Sequence, residues 1–318
     1  MPRPALQRQF FPGHSDPPWA AAHAGSARVI FLLKLLARLP LPLLHGLGIA
    51  LGWFLYGTSG RYAGRLRNNL FNSGLCTPGR DCRRLLRQVI GESGKAVVEL
   101  LPVWLRPFDK VVKLVKGTSG WEHIDAARVA GKGIILIGPH VGCFEIINLY
   151  YASLHPFTAM YKPPRKPVLA ALMLAGRQRG QATLVPTDLS GVRAQLAALK
   201  RHEAIGILPD QVASSGDGVW APFLGRPAYT PTLVASLQRK TGAAAFFVAA
   251  ERKSWGRGYH IHVFPLDTPL PADKSAAALL INRGVEDVIR RFPTQYMWSY
   301  NRHKRPGGVT HPDDPPET

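Results

Sequence analysis

The chain has 318 residues, 46% of them hydrophobic, which supplies a sizeable core and excludes a wholly disordered polar chain. Lys and Arg number 40 against 20 Asp and Glu, a net charge of +20 that suits nucleic acid, anionic lipid or an acidic protein as partner. The three cysteines, Cys76, Cys82 and Cys143, are an odd number without C-x-x-C spacing. Neither a disulfide framework nor a zinc site is therefore expected, and a reducing compartment is the natural setting.

Residues 1–26 have no sustained period and read as a disordered leader, as does the tail over 307–318. From Leu39 to Gly60 no Lys, Arg, Asp or Glu occurs, enough length for the ~20 residues of a membrane-crossing helix. Pro40 and Pro42 break its start and His45 is polar, so a helix lying in the interface is equally open. Basic residues flank both sides, so charge does not choose an orientation. Residues 27–60 are thus expected to be membrane-associated.

The remainder alternates. Residues 81–105 have helical spacing, with candidate breaks at Gly91 and Gly94. Strands are expected at VVKLVKG, GIILIGPH, FTAMYKP, ATLVPT and AIGILPD, with helices between them. After a loop come the helix TPTLVASLQRKTG, the strands AAAFFVAAERK and YHIHVFPL, and a last helix from Ser275 to Pro293. This pattern implies an α/β fold, a mixed sheet flanked by helices, with functional residues at strand ends.

GPHVGCFE at 138–145 sets His140 in the turn leaving a buried strand and Glu145 about one turn into the next helix. Glu145 could reach back to one imidazole nitrogen and leave the other to take a proton, while backbone N–H groups near Val141 and Gly142 face an oxyanion. His-x4-Glu alone is a weak pattern, and a helix cap with a chance acid explains it as well. Cys143 is expected to be a small buried thiol. Lys162, Arg165, Lys166, Arg177 and Arg179 form a run of basic residues suited to a phosphorylated substrate or an acidic carrier, or simply to a solvated face. Asp210 in LPDQ directly follows a strand, a candidate substrate-binding position that turn formation explains equally.

Taken together, LLARLPL, RLRNNL, GPHVGCFE, YKPP, LPDQ, GVWAPFLGRPAYT, TGAAAFF and PTQYMWSYNRHKRP resemble the late acyltransferases of lipid A biosynthesis, within the lysophospholipid acyltransferase group. The resemblance runs from about Arg28 to Gly307 and implies an acyltransferase domain over 61–306. It implies transfer of a fatty acyl chain from acyl carrier protein to a lipid A precursor, at the cytoplasmic face of the inner membrane, without metal or organic cofactor. By the same resemblance His140 is the general base and Glu145 its partner. Lys162 stands where that family usually has Arg, and Tyr300 where it usually has His. A related enzyme acting on another amphiphile stays open.

The competing class is a basic binding protein for nucleic acid or membrane. It accounts for the charge, but leaves His140, Glu145 and the apolar segment without purpose, and no helix-turn-helix, zinc-finger or RNP signature occurs. No nucleic-acid partner is expected.

Overall fold

The computed structural model describes residues 24–314. The expected leader lies outside them as far as residue 23, and residues 24–26 open the first helix, α1 (Ala24–Arg38). Proline at 40 ends that path, and α2 (Leu41–Thr58) starts afresh behind it. The uncharged stretch is therefore the second arm of a bent helical pair. Leu41, Leu44, His45, Gly48 and Gly52 form the buried face of α2. That stripe packs on α4 (Arg80–Val98), after the short α3 (Gly60–Phe71).

Glycines bring α2 and α4 together. A Cβ on Gly94 would lie 1.9 Å from the Gly48 carbonyl oxygen, and one on Gly52 would lie 2.2 Å from that of Ile90. Gly94, one of the two glycines expected to break the 81–105 helix, instead permits this backbone contact, and the break falls at Glu99, before α5 (Leu100–Leu105). Cys76 and Cys82 are joined as a disulfide with Cα atoms 5.1 Å apart, which corrects the expectation of unpaired cysteines. A local bridge six residues long needs no framework of several cysteines.

After α6 (Phe108–Val112) the alternating units follow: β1 (Val115–Ser119), α7 (Trp121–Val129), β2 (Ile134–Ile137), α8 (Phe144–Leu154), β3 (Phe157–Tyr161), α9 (Pro167–Arg177), β4 (Ala182–Pro186), α10 (Leu189–Lys200) and β5 (Ala204–Ile207). The loop expected next contains an antiparallel hairpin, β6 (Gly218–Phe223) and β7 (Arg226–Pro231). Its prolines and short, mixed runs hide the period-2 signal. The chain closes with α11 (Leu233–Thr241), β8 (Ala244–Arg252), β9 (Tyr259–Pro265) and α12 (Lys274–Arg291).

The main sheet has the order β1-β9-β8-β2-β5-β3-β4 and is mixed, as expected: β8 and β9 are antiparallel and the other pairs parallel. Alternation along β2 divides the core. Ile135 and Ile137 join one apolar cluster with Leu66, Val89 and Ile289, while Ile134 and Leu136 join the other with Ile146, Phe157 and Tyr259. Because β2 is buried on both faces, its carboxyl end is a rigid mount.

Candidate active site

In-register parallel pairing decides the site. Ile137 of β2 is level with Ile207 of β5, so three residues further on His140 and Asp210 leave the sheet side by side. The His140 backbone N–H donates to Asp210 Oδ2 (2.9 Å), and ring Nδ1 lies 2.8 Å from Asp210 Oδ1. Asp210 is 3% exposed. Burial alone would raise its pKa, but the charge and two hydrogen bonds of His140, with Arg302 beyond, hold the carboxyl below its ordinary value. An ionised Asp210 requires Nδ1 to carry the ring proton, so Nε2 has a free lone pair. Gln211 Nε2 lies 3.1 Å from it and donates there.

Three strands of contact hold the His140 turn. Met297 N–H donates to the His140 carbonyl, Gly142 N–H to the Gln295 carbonyl (both 3.0 Å), and Cys143 N–H to the Ala250 carbonyl (2.9 Å). The Gln295 side chain in turn bonds both backbone groups of Arg252. Gly142 has φ +58°, and a Cβ there would lie 1.9 Å from the Ala250 oxygen, so only glycine fits. These bonds also engage Gly142, while Val141 N–H turns to the Pro139 carbonyl (2.7 Å). The expectation that these amides face an oxyanion is therefore corrected. Cys143 is buried as expected, and desolvation with the charge of Glu99 pushes its thiol well up.

Glu145, expected on the His140 ring, sits elsewhere. Its carboxylate takes both prongs of Arg177, one at 2.8 Å from Nε and the other from a terminal nitrogen, and accepts from Trp104 Nε1 at 3.2 Å. As the second residue of α8, Glu145 faces α5 and α9, whereas the aspartate after β5 is level with the ring. Phe144 instead meets His140, edge to face at 4.6 Å. Arg177 is thereby neutralised inside the fold. Arg179 is also internal: it donates to the carbonyls of Gly176, Arg106 and Val103. Of the expected basic run, Lys162, Arg165 and Lys166 are the exposed members.

Sequence reasoning missed a second buried network. Arg252 grips Glu99 through Nε (2.8 Å) and a terminal nitrogen (2.6 Å) and reaches Glu92 at 2.6 Å. Tyr259 donates to Glu99 at 3.1 Å, and His45 of α2 lies 3.8 Å from it. The network ties α4 to the strand that carries Ala250, a partner of the His140 turn. Tyr300 braces the loop after Asp210: its hydroxyl accepts from Val212 N–H at 3.1 Å, while Asn69 of the RLRNNL segment holds the carbonyls of Trp298 and Tyr300. Asn within a basic amphipathic helix gives no local signal of that reach.

A histidine bonded to a buried aspartate at the carboxyl edge of an α/β sheet is an arrangement suited to acid–base chemistry. Residues 21–305 match the model of the bacterial lipid A biosynthesis acyltransferase family, and the chain belongs to that family. It is 28% identical to the lipid A biosynthesis lauroyltransferase of Escherichia coli (strain K12), over 88% of this chain and 92% of that protein. It is also 28% identical to the palmitoleoyltransferase of the same organism, over 87% and 90%. A phosphatidylinositol mannoside acyltransferase of Mycobacterium tuberculosis (strain ATCC 25618 / H37Rv) is 26% identical over 50% of this chain and 49% of its own length.

Proposed function

We propose that this acyltransferase moves a fatty acyl chain from acyl carrier protein directly to a hydroxyl of a lipid A precursor, with His140 as general base. The observation that carries the reading is the His140–Asp210 pair, 2.8 Å apart at Nδ1, which leaves Nε2 as the unprotonated ring nitrogen. The acceptor hydroxyl gives its proton to Nε2 as its oxygen attacks the thioester carbonyl. Asp210 keeps the proton on Nδ1 and stabilises the imidazolium. The tetrahedral adduct then expels the carrier's thiolate, which takes the proton from Nε2. Cys143 forms no bond in this sequence. Glu145 acts as a positioning residue, fixing α8 to Arg177 beneath the His140 turn.

Exposed Lys162, Arg165 and Lys166 supply positive charge for acceptor phosphates or the acidic carrier. In this reading the protein works at the cytoplasmic face of the inner membrane; membrane attachment as such is supported by the outer face of α1 and α2, where Phe31, Leu35, Leu43, Trp53 and Phe54 are exposed. Beside it, α3 and α4 display Arg61, Arg65, Arg67, Arg83, Arg84 and Arg87, suited to anionic head groups. Of the described residues, α2 alone is long and apolar enough to cross a bilayer. Its packing on the charged α4 favours a helix half-immersed in the interface. A second amphiphile as acceptor is favoured only by the mannoside acyltransferase likeness.

Mass spectrometry of lipid A from cells with and without the gene tests the acceptor. One acyl chain fewer in its absence supports the reading; an unchanged lipid A with another lipid altered transfers the chemistry to that lipid.

A further inference from the structure

The site as described has a base and no assigned donor for the charge that develops on the thioester oxygen. The amides expected for that task are engaged: Val141 with Pro139, Gly142 with Gln295 and Cys143 with Ala250. The His140 amide is engaged as well, by Asp210. At the reacting nitrogen itself stands a side-chain donor, Gln211, 3.1 Å from His140 Nε2. Its position has two consequences. While it donates to Nε2, no hydroxyl can bind there, so it must leave when the acceptor arrives. When it leaves, an N–H donor that stood 3.1 Å from the base is released beside the attacking oxygen, free to turn to the carbonyl oxygen of the donor.

The local backbone allows such a swing. Asp210 is fixed by His140 on one side, and Val212 N–H is fixed by Tyr300 on the other. The Gln211 main chain is thus held between two anchors, while its side chain is only half-buried and its side-chain hydrogen bond is the cap on His140.

We propose that Gln211 is a catalytic residue that caps the base in the free enzyme and, displaced by the acceptor, donates its amide N–H to the thioester carbonyl oxygen in the tetrahedral adduct. This rests on the acyl-transfer reading above. As the acceptor oxygen bonds to the acyl carbon and its proton passes to Nε2, the carbonyl π pair moves onto the thioester's carbonyl oxygen, where the Gln211 N–H meets it. Collapse restores the carbonyl, breaks the C–S bond and returns the amide to its cap once product leaves.

The test measures steady-state transfer by Gln211→Ala, Gln211→Leu and Gln211→Glu with an acyl-carrier thioester and a lipid A precursor. It also measures calorimetric binding of a long-chain phosphonate that mimics the adduct. Loss of one oxyanion donor predicts kcat lower by about 10² to 10³ in the Ala and Leu enzymes, with acceptor KM little changed. Gln211→Glu, equal in shape but anionic, falls at least as far. The phosphonate binds Gln211→Ala at least about tenfold more weakly than wild type, a readout independent of turnover. Transfer by Gln211→Ala at or above the wild-type rate, or equal phosphonate affinity in a folded variant, overturns the proposal and leaves the residue a cap. A wild-type protein without transfer activity would instead refute the underlying reading.

Discussion

Asp210→Asn separates charge and tautomer from shape. The native carboxylate accepts twice from His140, at 2.9 Å from the backbone N–H and at 2.8 Å from Nδ1. An amide of the same size has one acceptor oxygen. If that oxygen keeps the backbone N–H, its NH₂ faces Nδ1, which must become the acceptor and send the ring proton to Nε2. The base is then blocked by its own proton. If the amide flips, the NH₂ opposes the backbone N–H and the turn loses a bond. The analogous change in a Ser-His-Asp triad costs about 10⁴ in kcat through the wrong tautomer. A loss of about 10³ to 10⁴ is expected here, or about 4 to 5.5 kcal/mol of barrier. The assay is transfer from radiolabelled acyl carrier protein under saturating acceptor, with circular dichroism to confirm the fold. Acceptor KM should hold, because Asp210 is buried behind the ring. Activity within tenfold of wild type would refute the assignment of Asp210 as the partner of His140.

Glu145→Gln, which removes the charge facing Arg177, should lower kcat by less than Asp210→Asn, and a larger loss would restore Glu145 to the ring. Gly94→Ala forces α2 from α4 and should cost at least about 3 kcal/mol, while Gly46→Ala, with nothing within 4 Å, should be neutral or slightly stabilising in the same thermal melts. Arg252→Met strands Glu99 in the core and should cost about 3 to 5 kcal/mol by denaturant titration, against near-neutral values if the network were solvated. Burial lowers the His303 pKa to about 4. The unfolded chain then binds the extra proton, so stability is intact above about 6.5 and declines as pH falls toward 4. His303→Gln should flatten that part of the urea-stability profile, and an unchanged slope would place its cause elsewhere.

The sheet was legible because its strands are short apolar runs separated by helices with clear periods, and β2 and β5 are apolar throughout. Even the His140–Asp210 pair was present as a pattern: GIILIGPH and AIGILPD each place their polar residue three positions beyond the strand. What sequence spacing could not supply was that the two strands are neighbours in register, so the nearer carboxylate along the chain, Glu145, drew the assignment. The same limit applied to Arg177 and Arg179, whose partners come from α8 and from the end of α5. A run of basic residues looks alike whether it faces water or closes a core. Gly94 was likewise read as a weak point in its helix because the contact it permits, with Gly48 and Gly52, lies between two helices, not within either.

The most direct test of acyl transfer by this site is a single reaction with purified protein, acyl carrier protein bearing an isotopically labelled acyl chain, and a lipid A precursor, run in parallel with His140→Ala. Mass spectrometry should show the precursor heavier by one labelled acyl group with wild type, no acyl group on the protein, and a product yield at least about 10² lower with the variant. Equal product from a folded His140→Ala protein, or labelled acyl retained on Cys143, would contradict direct transfer by His140.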